Sequence, residues 1–289
     1  RMTFVTGPLG SGKSSLVFAG VVPRLRSRAV LETRKEPLVI TVIPGSDPIA
    51  ALLKAVLRAA DAKLADPDEW LPRQRRTLTR KPETLGNIIE TACAGLDVVL
   101  IVDQFEEIFT LCTDQEAREQ FTRAIAGLVK DPDTANRVIL IIRADYAQQS
   151  YAEAALQPFA ADPEARFSPP QLTTSELVRV INSSAEAAGL RFDAGIVEDL
   201  AQDVAGDPAS LPTLQFTLSR LWASLPQDGN RITREIYAKV GKPRHALAQA
   251  AEAAFNSLTP EQQKIAQRVF LELVLPTPGD DVQRRRVPL

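Results

Sequence analysis

Histidine occurs once and cysteine twice in the 289 residues of this chain. One histidine cannot complete the usual zinc ligand set, and Cys93 and Cys112 are too few for a disulfide framework. A reducing, cytoplasmic compartment is the expectation. A run of 18 apolar residues, the least that spans a bilayer, is also missing. So is an excess of either charge: Lys plus Arg is 34 and Asp plus Glu is 36, a net charge of −2. A dedicated nucleic-acid binder carries a clear basic excess, so nucleic acid is not the expected partner. No internal repeat, low-complexity tract or secretory leader is visible. Arg1 stands just before an apolar strand and the pattern is still running at Leu289, so a piece of a longer protein is expected. The remainder is ordinary for a globular protein, 45% hydrophobic and 24% charged. At roughly 150 residues per domain the length suggests about two domains. The 25 arginines against 9 lysines, with abundant alanine, suggest a GC-rich bacterial genome.

The first part of the chain alternates short apolar runs with helical patterns, the signature of a parallel α/β sheet. Strands are expected at Met2 to Thr6, Leu38 to Ile43, Val98 to Val102 and Val138 to Ile142, with a weaker one near Arg166 to Pro169. Helices are expected over Ser14–Val22, from a cap at Ser46 or Asp47 to about Ala62, over Leu85–Ala94, and over Glu116–Lys130, where Phe121, Ile125, Leu128 and Val129 share a face. Residues 66–82 are polar, basic and marked by prolines, and read as a surface excursion. Beyond Pro169-Pro170 the strand signal fades. Helices then follow at Ser175–Gly189, Ala194–Ala205, Leu211–Leu225, Thr233–Val240 and Arg244–Leu258, with another from Pro260 behind a T-P-E-Q cap. A strand is expected within Gln283–Val287.

Residues 7–14 read G-P-L-G-S-G-K-S, the P-loop pattern G-x-x-x-x-G-K-S. Gly7, Gly10 and Gly12 let backbone N–H groups turn toward phosphate oxygens, and the following helix points its positive end at the same anion. Lys13 is expected to reach the β- and γ-phosphates, and the Ser14 hydroxyl to ligate Mg²⁺. With Pro8, Ser11 and Ser15 these are the candidate nucleotide-binding residues. Val98–Val102 runs into Asp103-Gln104-Phe105-Glu106-Glu107, the Walker B arrangement of an apolar strand ending in an acid. Asp103 can hold Mg²⁺ through a water while Ser14 holds it directly. A second acid must activate the attacking water. Glu106 is favoured over Glu107, with the other glutamate structural. Arg143 ends the next strand. It is placed to meet the γ-phosphate, and a salt bridge to Asp145 or Glu107 is the alternative.

The segments GPLGSGKSSLVFAGVVPRLR, VLIVDQFEEIFTLC, ILIIRADY, SLPTLQFTLSRLW and ITREIYAKVGKPRHALAQAAE together resemble the STAND NTPases, of the bacterial novel STAND subclass often fused to WD repeats or effector domains. The resemblance implies three domains: a P-loop nucleotide-binding domain of parallel sheet and flanking helices at 1–170, an all-α helical domain at 171–257, and the start of a winged helix at 258–289. It implies a switch that rests with ADP, exchanges it for ATP when a sensor domain is engaged, hydrolyses ATP slowly and self-associates to drive an effector, in bacterial defence or signalling. It also implies that Pro212 packs on the adenine, although Pro212 reads equally as a helix-starting proline. The sequence departs from the family at Gly241-Lys242, where paired glycines are common. His245 lies too early for the phosphate-contacting histidine of related winged helices and reads as a surface residue. A constitutive AAA-type ATPase is the alternative, with Arg284, Arg285 or Arg286 as an arginine finger. A DNA-binding regulator using the winged helix is the other.

Overall fold

The computed structural model describes residues 1–26, 36–60, 66–93, 96–131, 134–207, 210–227, 229–276 and 282–284. The chain divides into two compact units, Arg1–Gln171 and Leu172–Leu289.

The first unit is built on β1 (Met2–Gly7), β2 (Leu38–Val42), β3 (Val98–Val102), β4 (Arg137–Arg143) and β5 (Arg166–Phe167). They form one sheet in the order β2-β3-β4-β1-β5, and every pairing is parallel. Parallel strands need covered faces, and their sequences show it: all five residues of β3 are buried. Side chains alternate between the faces. Phe4, Ile40, Val42, Leu100, Val102, Val138, Leu140 and Ile142 lie in one core cluster, and Val5, Val99, Ile101, Ile139 and Ile141 in another. The larger cluster is closed by α3 (Pro48–Ala59), α4 (Pro67–Arg80), α5 (Leu85–Ala92) and α7 (Gln115–Gly127). The smaller is closed by Val17 and Val22 of the helix that follows β1.

That helix is not uniform. It starts as α1 (Lys13–Ser15), widens to a π turn over Leu16–Val21, and resumes as α2 (Val22–Arg26). Pro23 lacks an N–H and crowds the carbonyl four residues before it, and the wider winding upstream accommodates both effects.

Residues 66–82, read from sequence as an excursion, contain α4. Asp66 caps it by accepting from the Asp68 N–H, and Pro67 stands in its first turn. Trp70 and Leu78, two helical turns apart, bury into the main core. The basic residues are solvated around that face, and the helix continues through Pro72, which forgoes the bond an N–H there would make to the Asp68 carbonyl. The expected cap of α3 is Asp47, whose carboxylate accepts from the Ala50 N–H at 3.1 Å. Short helices α6 (Glu107–Thr110), α8 (Ala147–Ala152) and α9 (Gln157–Ala160) fill the sheet's margins.

The second unit is mainly helical: α10 (Thr174–Ala187), α11 (Ile196–Val204), α12 (Ser210–Ala223), α13 (Arg234–Val240), α14 (Pro243–Asn256) and α15 (Pro260–Glu272). Thr173 with Glu176, and Thr259 with Gln262, form reciprocal capping boxes at the starts of α10 and α15. Leu177, Ile181, Ile196, Leu200, Leu214 and Leu221 lie in its core. It is not purely helical. Strands β6 (Arg191–Phe192) and β7 (Arg231–Ile232) pair in parallel, and β8 (Val274–Pro276) pairs antiparallel with β9 (Val282–Arg284). Two-residue strands leave too little periodicity to be read from sequence. Arg285 and Arg286 lie outside the described residues. No described helix is long and apolar enough to cross a membrane. Cys93 and Cys112 are both buried free thiols.

Candidate functional site

The carboxyl end of β1 leads directly into the P-loop. The Ser11 N–H donates to the Pro8 carbonyl at 3.3 Å, closing a turn, and the Leu16 N–H donates to the Gly12 carbonyl at 2.8 Å, opening the helix. Gly10 and Gly12 both have φ of 79°, a left-handed conformation that side chains resist. A Cβ on Gly7 would sit 2.8 Å from Ser11 Oγ. That hydroxyl is buried and has no protein partner, which costs free energy unless a ligand supplies an acceptor. A bare-backbone cradle with a spare buried donor fits a phosphate group. Lys13 is 8% exposed, and its ammonium donates to the carbonyls of Gly7 at 2.9 Å and Pro8 at 2.8 Å. Burial pushes its pKa down, while the nearby carboxylates of Glu106 and Asp103 hold it up.

Strand β3 delivers the acids to the same edge. The Asp103 N–H still pairs with Val42 of β2, but Gln104 adopts φ of 53°. This left-handed residue breaks the strand, and the Phe105 N–H then pairs with Ile141 of β4 at 3.0 Å. Phe105 is fully buried against Phe109 and Phe121, which anchors the turn and leaves the acids around it at the sheet's edge. Asp103 Oδ1 accepts from Ser14 Oγ at 2.9 Å and from the Gln104 N–H at 2.9 Å. The P-loop hydroxyl and the strand-end carboxylate are thus in contact, a pair of hard oxygen donors suited to Mg²⁺. Among the described residues no cluster of three or more His, Cys, Asp or Glu could hold a metal. A cation here would therefore share its ligands with phosphate and water, the usual arrangement for Mg²⁺.

The two glutamates part company. Glu106 is 6% exposed, and its Oε2 accepts from the Arg143 N–H at 3.2 Å. Burial pushes its pKa above the usual carboxylate value, against hydrogen bonds from the backbone and the positive charges of Arg143 and Lys13. Glu107 turns the other way and accepts the Gly45 N–H at 3.0 Å, tying the loop after β2 to α6. The sequence carried no sign of this tie, because Pro44-Gly45 reads only as a turn.

Sheet register sets Arg143 opposite Gly7. Its guanidinium does not reach Glu107. It donates through Nε and Nη2 to both oxygens of Asp145, at 3.1 and 2.5 Å, and lies 5.5 Å over the Tyr146 ring. Tyr146 is in turn parallel to Phe109, with centroids 6.3 Å apart. Ser15 is exposed on the first helical turn. Pro212 is exposed in the first turn of α12, in the second unit. His245 is exposed and shares a 2.9 Å hydrogen bond with Gln249.

The whole chain, residues 1–289, matches the family described as Novel STAND NTPase 1, and it belongs to that family of P-loop NTPases. No curated protein matches it. Among solved structures it is similar to the ORC2 protein of Aeropyrum pernix in ADPNP-ADP complexes, with 13% identity and a TM-score of 0.58 over 86% of this chain and 61% of that one. It is similar to the ORC1 protein of Aeropyrum pernix in complex with DNA, with 15% identity and a TM-score of 0.52 over 94% of this chain and 65% of that one. A Walker-type ATPase of Pyrococcus abyssi matches at 13% identity and a TM-score of 0.51, over 94% of this chain and 72% of that one. The chain thus spans about three fifths of the ORC2 chain. At these identities the likeness is one of fold.

Proposed function

We propose that this novel STAND NTPase binds ATP or ADP with Mg²⁺ through Gly7, Pro8, Gly10, Ser11, Gly12, Lys13, Ser14, Ser15 and Asp103. It hydrolyses ATP with Glu106 as general base, and works as a nucleotide-dependent switch. The loop's N–H groups and Lys13 hold the phosphates, and Ser14 and Asp103 hold the cation. Bound Mg²⁺ would supply charge neutralisation on the phosphate oxygens. Glu106 accepts the proton of the attacking water. A carboxylate with a raised pKa is the stronger base, provided it is ionised at the working pH. The carrying observation is the opposed orientation of the glutamates: Glu106 shares the neighbourhood of Lys13 and the Arg143 backbone, while Glu107 is committed to Gly45.

Slow turnover is part of the proposal, and two contacts support it. Lys13 and Arg143, the two cations that would stabilise transition-state charge, are engaged by the loop carbonyls and by Asp145. In this reading Pro212 packs on the adenine. Residues 171–257 act as the helical domain and 258–289 begin a winged helix, a reading supported by the β8–β9 hairpin that follows α15. ATP favours self-association, which drives sensor and effector domains in bacterial signalling or defence. The test is to denature freshly purified protein and identify the released nucleotide by chromatography, then to add ATP and ADP to the protein itself. Adenine nucleotide near one per chain supports the proposal. A protein that releases none and binds none refutes it. The DNA-bound state of the Aeropyrum ORC1 structure motivates a second reading, a DNA-binding module. It requires a salt-dependent shift with duplex DNA, and the net charge of −2 speaks against it.

A further inference from the structure

Arg143 offers a planar fork of parallel N–H donors, and both oxygens of the Asp145 carboxylate fill it, at 3.1 and 2.5 Å. Such a bidentate pair has the geometry by which arginine also recognises phosphate. A terminal phosphate and Asp145 would compete for one donor face. The arrangement sits at the phosphate edge, since Arg143 is in register with Gly7 and its own N–H is held by Glu106. The guanidinium is further steadied over Tyr146, which is stacked on Phe109. The Arg143 side chain is 21% exposed and that of Asp145 54%, so the carboxylate is open to water and free to give up its partner.

We propose that Asp145 is a positioning residue that holds the Arg143 guanidinium in competition with the terminal phosphate of a nucleoside triphosphate, and so sets how strongly the site prefers triphosphate over diphosphate. The inference rests on the nucleotide-binding reading above. A diphosphate lacks the competing group and leaves the pair intact. A triphosphate gains Arg143 only by displacing Asp145, so part of its extra binding free energy is spent on that exchange. Tyr146 keeps the guanidinium near the site in either arrangement.

The experiment compares equilibrium affinities of the whole chain for ADP and for a non-hydrolysable triphosphate analogue, both with Mg²⁺, by titration calorimetry. The proteins are wild type, Asp145→Asn, Arg143→Ala and the double variant. Asparagine keeps the shape of the side chain at an exposed position and removes its charge. Asp145→Asn should leave ADP affinity unchanged and raise the preference for the triphosphate about fivefold, the upper range for a solvated ion pair. On the Arg143→Ala background that gain should shrink to near nothing. An unchanged or lowered preference in Asp145→Asn overturns the proposal. So does a full gain that persists without Arg143, which would mean direct repulsion of phosphate by Asp145. If wild type binds neither nucleotide, the reading of the site fails and carries this inference with it. If wild type binds both and the variants do not move the ratio, this inference alone fails.

Discussion

Replacing each of the adjacent glutamates by glutamine should separate a chemical role from an architectural one. Glu106→Gln removes the proposed base while keeping an oxygen for the Arg143 N–H. ATP turnover should fall about 10²- to 10⁴-fold, the usual contribution of a positioned base, with nucleotide still bound. The same change should raise thermal stability at neutral pH. Burial holds the Glu106 pKa above 4.5, so the native state binds its proton more tightly than the unfolded chain does. The ionised carboxylate therefore opposes folding fully above the native pKa and not at all below 4.5, where both states are protonated. The stabilisation by glutamine should be present at pH 7 to 8 and fade as the pH approaches 4.5. Glu107→Gln should do the reverse. Gly45 keeps an acceptor but loses its charge, and the difference between charged and neutral hydrogen bonds is about 1 kcal/mol. For a unit the size of Arg1–Gln171 that is a loss of about 2–4 °C in melting temperature, with hydrolysis retained. Phosphate release and scanning fluorimetry over a pH series read both effects. A Glu106→Gln protein that hydrolyses at the wild-type rate, or a Glu107→Gln protein that stops, refutes the assignment.

Lys13→Ala should weaken nucleotide binding by about 30- to 1000-fold, the effect of deleting one partner of a buried charge contact, measured by calorimetry. Gly7→Ala places a methyl group 2.8 Å from Ser11 Oγ; it should lower stability by about 1–3 kcal/mol and weaken ADP binding, and a variant matching wild type in both would show that the loop has room to spare. Pro212→Ala should weaken ADP by about fivefold, roughly the 1 kcal/mol of a lost apolar contact, and leave inorganic tripolyphosphate unaffected. Equal changes for both ligands would remove Pro212 from the adenine.

The parts of the site written in contiguous residues were legible in the sequence. The P-loop and the β3–Asp103 junction are local patterns whose geometry follows from glycine placement and strand burial. The sheet was legible because parallel strands carry dense apolar runs. Helix α4 was not, because its buried face amounts to Trp70, Leu78 and the half-buried Leu71, while its many charges dominate the local composition. The sequence favoured Glu106 over Glu107, but they are chemically identical neighbours and nothing in it showed where each side chain goes. Their difference arises from the left-handed turn at Gln104, which no residue type announces, and from the distant partners Gly45 and Arg143. Arg143 was placed at the right strand end, and its pairing with Asp145 rather than Glu107 is a matter of rotamer.

The strand order β2-β3-β4-β1-β5 also dictates when the site can exist during synthesis. Among the described residues, strand β1, which carries the P-loop, pairs only with β4 and β5. Residues 2–7 must therefore wait for residues 137–143 to leave the ribosome before they gain a neighbour. At about 5–20 residues per second this is a delay on the order of ten seconds. Throughout it, the strand that carries Met2, Phe4 and Val5 to the core is unpaired. Nucleotide in the cell cannot template the early chain, because the loop has no fixed ends until the central strand is inserted. The nascent first unit should accordingly depend on protection by chaperones over that interval, and become competent for nucleotide only as its last strands arrive.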